Sequence, residues 1–247
     1  MSPSPLYVIG FAFVLLVLFS LLGRKNTRRT LRSIKAFREL RRTIELSVED
    51  GSQLQISLGS GGMLGAESAA AFAGLTLLRQ VALIAADGDQ PPIATSGDAV
   101  LMLLAQDTLR HTYRRLNISD HYHLRLSRAT GLSPFSYAAG TLPLISDRTV
   151  SASALVGSFG DEAGLITAAS QQSGAFSLGG SNTLNGQALL FGSAQEPLIG
   201  EEVFATGAYM DAGAAHQASL RAQDVMRWLV ILLLVLTAIY PFFAGLL

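Results

Sequence analysis

The chain of 247 residues sets 18 Lys and Arg against 18 Asp and Glu, contains no cysteine, and is 49% hydrophobic and only 15% charged, with a mean hydropathy of +0.38. Charged residues make up about a quarter of an average soluble domain, so this shortfall argues for a membrane component. The missing cysteine excludes disulfide frameworks, thiolate-bound zinc, iron–sulfur clusters and thiol catalysis.

Pro5 to Leu22 carries no charge and as a helix would cover about 27 Å, close to the hydrocarbon thickness of a bilayer. No A-x-A cleavage signal follows it, so it is expected to remain as an uncleaved anchor, a first transmembrane helix over residues 5–23. Nine bases come next: Arg24, Lys25, Arg28, Arg29, Arg32, Lys35, Arg38, Arg41 and Arg42. Against the single acid Glu39 they give a balance of +8. Bases clustered beside a span hold that side in the cytoplasm. Leu31, Ile34, Phe37, Leu40 and Ile44 recur at spacings of three or four, which predicts a basic amphipathic juxtamembrane helix over residues 24–44. Such a collar can lie on anionic lipid, or set topology while its apolar stripe packs on the body.

Residues 45–224 alternate short β-prone runs with longer Ala/Leu-rich ones. Strands are expected at Leu54–Leu58, Pro92–Thr95, His123–Leu126, Ser153–Ser158, Ala175–Leu178 and Pro197–Ile199. Helices are expected at Ala66–Ala86, Gly97–Leu116, Pro134–Ser146, Glu162–Gln172, Thr183–Phe191 and Glu201–Met210. This order predicts one α/β domain: a doubly wound, mainly parallel, Rossmann-like sheet covered on both faces. Its balance is −9, eight arginines against 17 acids, which speaks against nucleic acid as a partner. A second uncharged stretch, Trp228 to Leu247, follows Arg227 and is expected to form a second transmembrane helix over residues 227–247. The expected layout is therefore two-pass in a bacterial cytoplasmic (inner) membrane, with the central domain cytoplasmic and both termini on the far face.

Several strand ends run into glycine followed by polar or acidic residues, and in an open α/β sheet these turns gather at the carboxyl edge, where ligands bind. The candidate ligand-binding residues are Gly59, Gly61, Gly62, Gly157, Asp161, Glu162, Gly200, Glu201 and Glu202. The plainer reading is that the glycines make tight turns and the acids cap helices. Gly59 to Gly65 spells G-x-G-x-x-x-G rather than the dinucleotide spacing G-x-G-x-x-G, and no ribose-binding acid ends the second strand. The body has no lysine, which excludes a Walker A lysine, a Schiff base and a Ser/Lys dyad there. No G-x-S-x-G elbow is present. His121 and His123 would share a strand face but have no evident third metal ligand, and Asp161/Glu162 would need to converge with Glu201/Glu202 to hold a cation. No catalytic residue, metal or cofactor is assigned.

Phe72-Ala-Gly-Leu75, Tyr137-Ala-Ala-Gly140, Gly157-x-Phe159-x-x-Glu162, the block Ile199 to Met210, and Ser219-Leu-x-x-Gln-Asp224 together resemble a bacterial membrane-protein family known only as a domain of unknown function, over about residues 59–247. The resemblance implies two spans and an α/β body, with no activity or site residues to carry over. The chain departs from the family's pattern at Gly179-Gly180-Ser181. Small residues along the helices and the lack of catalytic signatures favour a non-catalytic scaffold that self-associates, as a homo-oligomer, or docks membrane partners. The alternative is a membrane-anchored sensory domain binding a small ligand or nucleotide at the carboxyl-edge turns. An enzyme using Asp161 and Glu162 as acid–base groups with a nearby histidine has the least support.

Overall fold

The computed structural model describes Gly10, Phe11, Val14, Val17 and Phe19, and residues 32–65, 67–147 and 149–244. The chain divides into two compact units, Arg32–Met210, and Met1–Leu31 with Asp211–Leu247. Most of the expected first span, the collar bases Arg24, Lys25, Arg28 and Arg29, and the last three residues of the expected second span lie outside the described residues.

The unit Arg32–Met210 opens with helix α1 (Lys35–Asp50), which ends where Gly51 turns left-handed at φ 65°. Next come β1 (Gln53–Gly59), α2 (Ser68–Ile84), β2 (Ile93–Ser96), α3 (Ala99–Arg115), β3 (Ser127–Ala129), α4 (Pro134–Ile145), β4 (Val150–Ser158), α5 (Glu162–Ser173), β5 (Phe176–Ser181), α6 (Leu184–Ser193), β6 (Glu196–Leu198) and the short α7 (Thr206–Tyr209). Every strand pairing is parallel, in the order β3-β2-β1-β4-β5-β6. The chain thus moves outward from β1 to β3 and then returns to the centre at β4. The β1/β4 junction is the topological switch point of a doubly wound sheet.

Two cores follow. Leu54, Ile56, Leu58, Ala154, Val156 and Leu178 point to the face covered by α1, α2 and α3, and pack with Phe37, Leu40, Ile44, Leu78 and Leu109. On the other face, Leu155 and Phe159 pack with Tyr137, Ile145, Ala163, Ile166 and Leu190 of α4, α5 and α6. The β1–β4 ladder slips twice, once at its start, where Gln53 pairs with Val150 but Leu54 with Ala152, and once at its carboxyl end, where Ser57 pairs with Leu155 but Gly59 with Ser158. One extra β4 residue is accommodated there as a bulge, which bends the strand ends.

The sheet and its two helical layers agree with the sequence. Two elements differ. The expected strand at His123–Leu126 is a short 3-10 turn at Leu124–Leu126 followed by β3, because Leu126 drops into the core instead of alternating along a pleat. The expected helix Glu201–Met210 is broken into a 3-10 turn, Gly200–Val203, and α7, after Gly200 enters the left-handed region at φ 61°. Of the amphipathic helix expected over 24–44, residues 24–31 lie outside the described residues, and the described part belongs to Lys35–Asp50, inside the α/β unit. Its stripe of Phe37, Leu40 and Ile44 is fully inside the core. Each such side chain stabilises by about 1.5–3 kcal/mol on burial. Phe37 stacks on Tyr209, the ring centroids 5.1 Å apart and the planes 8° from parallel, and Lys35 pairs with Glu196. The first and last helices of the unit are thereby clasped together.

In the second unit, α8 runs unbroken from Ala214 to Ala244. Trp228 is 70% exposed, and every residue from Leu229 to Val235 is large, apolar and also exposed. Among the described residues, Ser68–Asp87 is long and apolar enough to cross a membrane. That segment is α2 with the turn after it, the core helix of the sheet.

If α1 is integral to the α/β unit, Ile44→Ala should lower the unfolding free energy of the full chain by about 2–5 kcal/mol, as expected for a large side chain deleted from a core. Leu46→Ala, on the exposed side of the same helix, should stay within about 0.5 kcal/mol. Denaturant unfolding followed by far-ultraviolet circular dichroism measures both.

Candidate functional site

The switch point brings together two turns. After β1, Gly59 adopts φ 96° and the chain folds over the end of β4, so that the Ser60 and Gly61 amides both donate to the Ser158 carbonyl, at 3.1 and 3.2 Å. The bulge aims that carbonyl at them. Gly157 allows the approach: a Cβ there would sit 1.9 Å from the Leu58 carbonyl oxygen. After β4, Glu162 opens α5 with no solvent exposure. Its carboxylate accepts from the Gly160 amide at 3.0 Å and, across the switch point, from the Ser60 hydroxyl.

This geometry fits a structural turn. Two amides that would face a bound phosphate are committed to Ser158. The start of α5, where an anion would be favoured by the helix dipole, already holds the chain's own carboxylate. Asp98, the acid nearest the end of β2, caps α3 by accepting from the Leu101 amide at 2.8 Å. It is thus occupied in a structural role.

The remaining expected residues fall apart in space. Gly59, Gly61, Gly157 and Glu162 meet, and Gly62 lies on the same turn, with Asp98 3.9 Å from where its Cβ would be. Asp161 is exposed beside them. Gly200, Glu201 and Glu202 follow β6, at the sheet edge, two strands from β4, or about 10 Å at ordinary strand spacing. There the Glu202 carboxylate accepts from the Ile199 amide at 3.3 Å. The two acid pairs therefore do not converge, and among the described residues no group of three or more His, Asp or Glu could hold a metal ion. His121 and His123 do not share a strand face, since both precede β3 in 3-10 turns and their flanks. They stand at the amino edge of the sheet, as does His111 near the end of α3. Asp161 and Glu162 stand at the carboxyl edge, beyond proton-transfer reach.

Under the switch point lies a buried polar layer that the motif reading did not single out. Gln55 donates to Ser57 at 2.8 Å and Thr95 at 2.9 Å and accepts from Ser153 at 2.6 Å. The Tyr137 hydroxyl meets Thr95 at 3.2 Å. Burial raises the Tyr137 phenol above its ordinary value, opposed by hydrogen bonds from Ser57, Thr95 and the Gly59 backbone and reinforced by the Glu162 charge. It therefore stays protonated at neutral pH, as a donor. The period-two alternation in Gln53-Leu-Gln-Ile-Ser-Leu58 is the signal that marks one face of β1 as polar. With every member satisfied, the layer fixes register and strand pairing rather than exposing reactive groups.

Tyr137→Phe should cost about 1–3 kcal/mol, because buried partners lose their bond. Tyr113→Phe should be neutral or slightly stabilising, because the buried Tyr113 hydroxyl has no partner among the described residues. Both phenols are pushed upward by burial. The unfolded chain therefore ionises first, and stability should be level below the ordinary phenol value and fall as pH rises past about 10. The double Phe variant should flatten that fall in unfolding curves measured from pH 7 to 11.

A family model described as a domain of unknown function, DUF6754, matches residues 3–246. No curated protein and no solved structure matches the chain. The chain belongs to the DUF6754 family.

Proposed function

We propose that this member of the DUF6754 family is a non-catalytic, membrane-anchored scaffold whose α/β unit docks on a second copy of the chain through the carboxyl edge of its sheet. One observation carries the reading. Leu64 is 96% exposed, Leu184 83% and Leu132 79%, and Phe135 and Val100 are also well exposed. These residues sit on the turns or first helical turns after β1, β2, β3 and β5, and Ile199 adds a fifth after β6. Phe191, Leu124, Leu103 and Phe72 are exposed elsewhere on the unit, but its three most exposed large apolar groups, Leu64, Leu184 and Leu132, share this edge, and apolar groups gathered in that way suit an interaction surface. The crevice inside that rim is occupied by Glu162, Ser60 and Ser158, which favours docking over the capture of a small ligand.

The membrane reading has separate support. An apolar helix exposed on every side over the two turns from Trp228 to Val235 suits lipid, which needs no polar face. The clasp between Phe37 and Tyr209 brings the start and finish of the α/β unit to one side, as a pair of neighbouring spans would require. Arg32, Lys35, Arg38 and Arg42 are exposed on or beside α1 and Arg41 is half-buried, so with Arg24, Lys25, Arg28 and Arg29 they supply the lipid-facing collar. By the positive-inside rule the α/β unit faces the cytoplasm of a bacterial inner membrane.

Mass photometry of the detergent-solubilised full chain should show an oligomer that dissociates on dilution. Leu64→Asp with Leu132→Asp and Leu184→Asp should weaken it by tenfold or more, about 1.4 kcal/mol. A wild-type chain that stays monomeric at every concentration overturns self-association. Because the chain lacks cysteine, topology can be read from single replacements. A membrane-impermeant maleimide should label Ser4→Cys in intact cells, and Asp161→Cys only after permeabilisation.

A further inference from the structure

We propose that a basic groove at the β3 edge of the sheet binds a phosphate-bearing small molecule. Five of the eight arginines between Glu45 and Asp224 fall between Arg110 and Arg128. The fold turns that stretch into the lining of two adjoining cavities. Arg110 and Arg114, one turn apart on the same side of α3, line a cavity of about 460 Å³ with Tyr122 and Leu124. Tyr122 and Leu124 also line an adjoining cavity of about 730 Å³, together with Arg125 and Arg128. Gln53 and Ile93, at the starts of β1 and β2, also line this cavity, which places the groove at the amino edge, away from the apolar rim.

None of these four guanidinium groups makes an ion pair with a carboxylate among the described residues. Asp107 and Asp120 are the nearest acids in sequence, and neither is paired with them. The Arg128 Nε donates to the Arg125 carbonyl at 2.8 Å, which ties the two together. The negative end of the α3 dipole accounts for Arg114 in the last turn of that helix, but not for Arg110, Arg125 and Arg128. In a body with an excess of nine acids, four bases lining two adjoining cavities without a paired carboxylate among the described residues suit an outside anion. Forked guanidinium donors match phosphate oxygens two at a time. The Tyr122 ring with Leu124 and Ile93 offers an apolar wall for the organic part of the same ligand. That combination, a few converging polar groups against an apolar lining, is what small-molecule sites share.

Phosphate can come from a free nucleotide-like metabolite or from a lipid headgroup, and the test separates them. The full chain in neutral detergent would be titrated calorimetrically with ATP and with inorganic pyrophosphate, and in parallel reconstituted into nanodiscs with and without phosphatidylserine. Saturable binding of ATP or pyrophosphate is expected. It should weaken by about tenfold or more in Arg110→Gln/Arg114→Gln and again in Arg125→Gln/Arg128→Gln, and fall with added salt. Arg79→Gln, outside the groove, should bind as wild type. Protection of the groove arginines from phenylglyoxal only in phosphatidylserine nanodiscs would assign the same site to a lipid headgroup. Absence of saturable binding and of protection, or binding unchanged in both double variants, overturns the proposal. The substituted groups are exposed or half-buried, so thermal unfolding and oligomeric state should stay at wild-type values. A loss of binding with those values intact therefore speaks to the groove and not to docking at the rim.

Discussion

The one-residue bulge at the carboxyl end of the β1–β4 ladder is the constraint from which the centre of the molecule is built. It lets the strand ends approach until no side chain fits between Gly157 and Leu58, and it turns the Ser158 carbonyl onto the amides of the glycine turn. Glu162 closes the polar cleft that results by bridging Ser60 and Gly160. A turn that looks like a phosphate loop in sequence is thus a strand-to-strand lock. The difference lies in where two amides point, which glycine spacing alone does not specify.

Much of this architecture could be read before the structure was in hand. Alternating β-prone and Ala/Leu-rich runs gave five of the six strands in place and the doubly wound class, because a buried parallel sheet needs apolar strands separated by helix-length crossovers. The misses have physical causes. His123 to Leu126 has strand-like alternation, but Leu126 reaches the core through a 3-10 turn. The helix expected from Glu201 stops where Gly200 and the Glu202 side chain close a tighter turn. The acid pairs at 161–162 and 201–202 look equivalent as sequence, yet β5 stands between their strands. The polar layer of Gln55, Ser57, Thr95, Ser153 and Tyr137 depends on strand neighbours far apart in the chain, and only the alternation within β1 hinted at it.

Charge is distributed in the same divided way as the topology. Zero net charge resolves into a basic run from Arg24 to Arg42, an acidic body, and arginines at the β3 edge. Among the acids, Asp98, Glu162 and Glu202 accept from local backbone amides, Glu196 pairs with Lys35, and Asp107, Asp120 and Asp161 face solvent. The arginines of α3 and β3 are concentrated, and they repel one another in the absence of a counter-ion. Apolar groups are divided too, with a rim on one edge of the sheet and the arginines toward the other.

The Phe37–Tyr209 clasp has a mechanical consequence. β6, with three residues one of the two shortest strands, lies at the sheet edge, shortly before α7. Tension drawn through Met210 would peel that strand off one residue at a time if nothing stood in its path. The parallel rings take the load first and pass it to α1, whose buried stripe spreads it across the core. Strain applied at Met210 therefore falls first on stacked rings, ahead of the sheet edge.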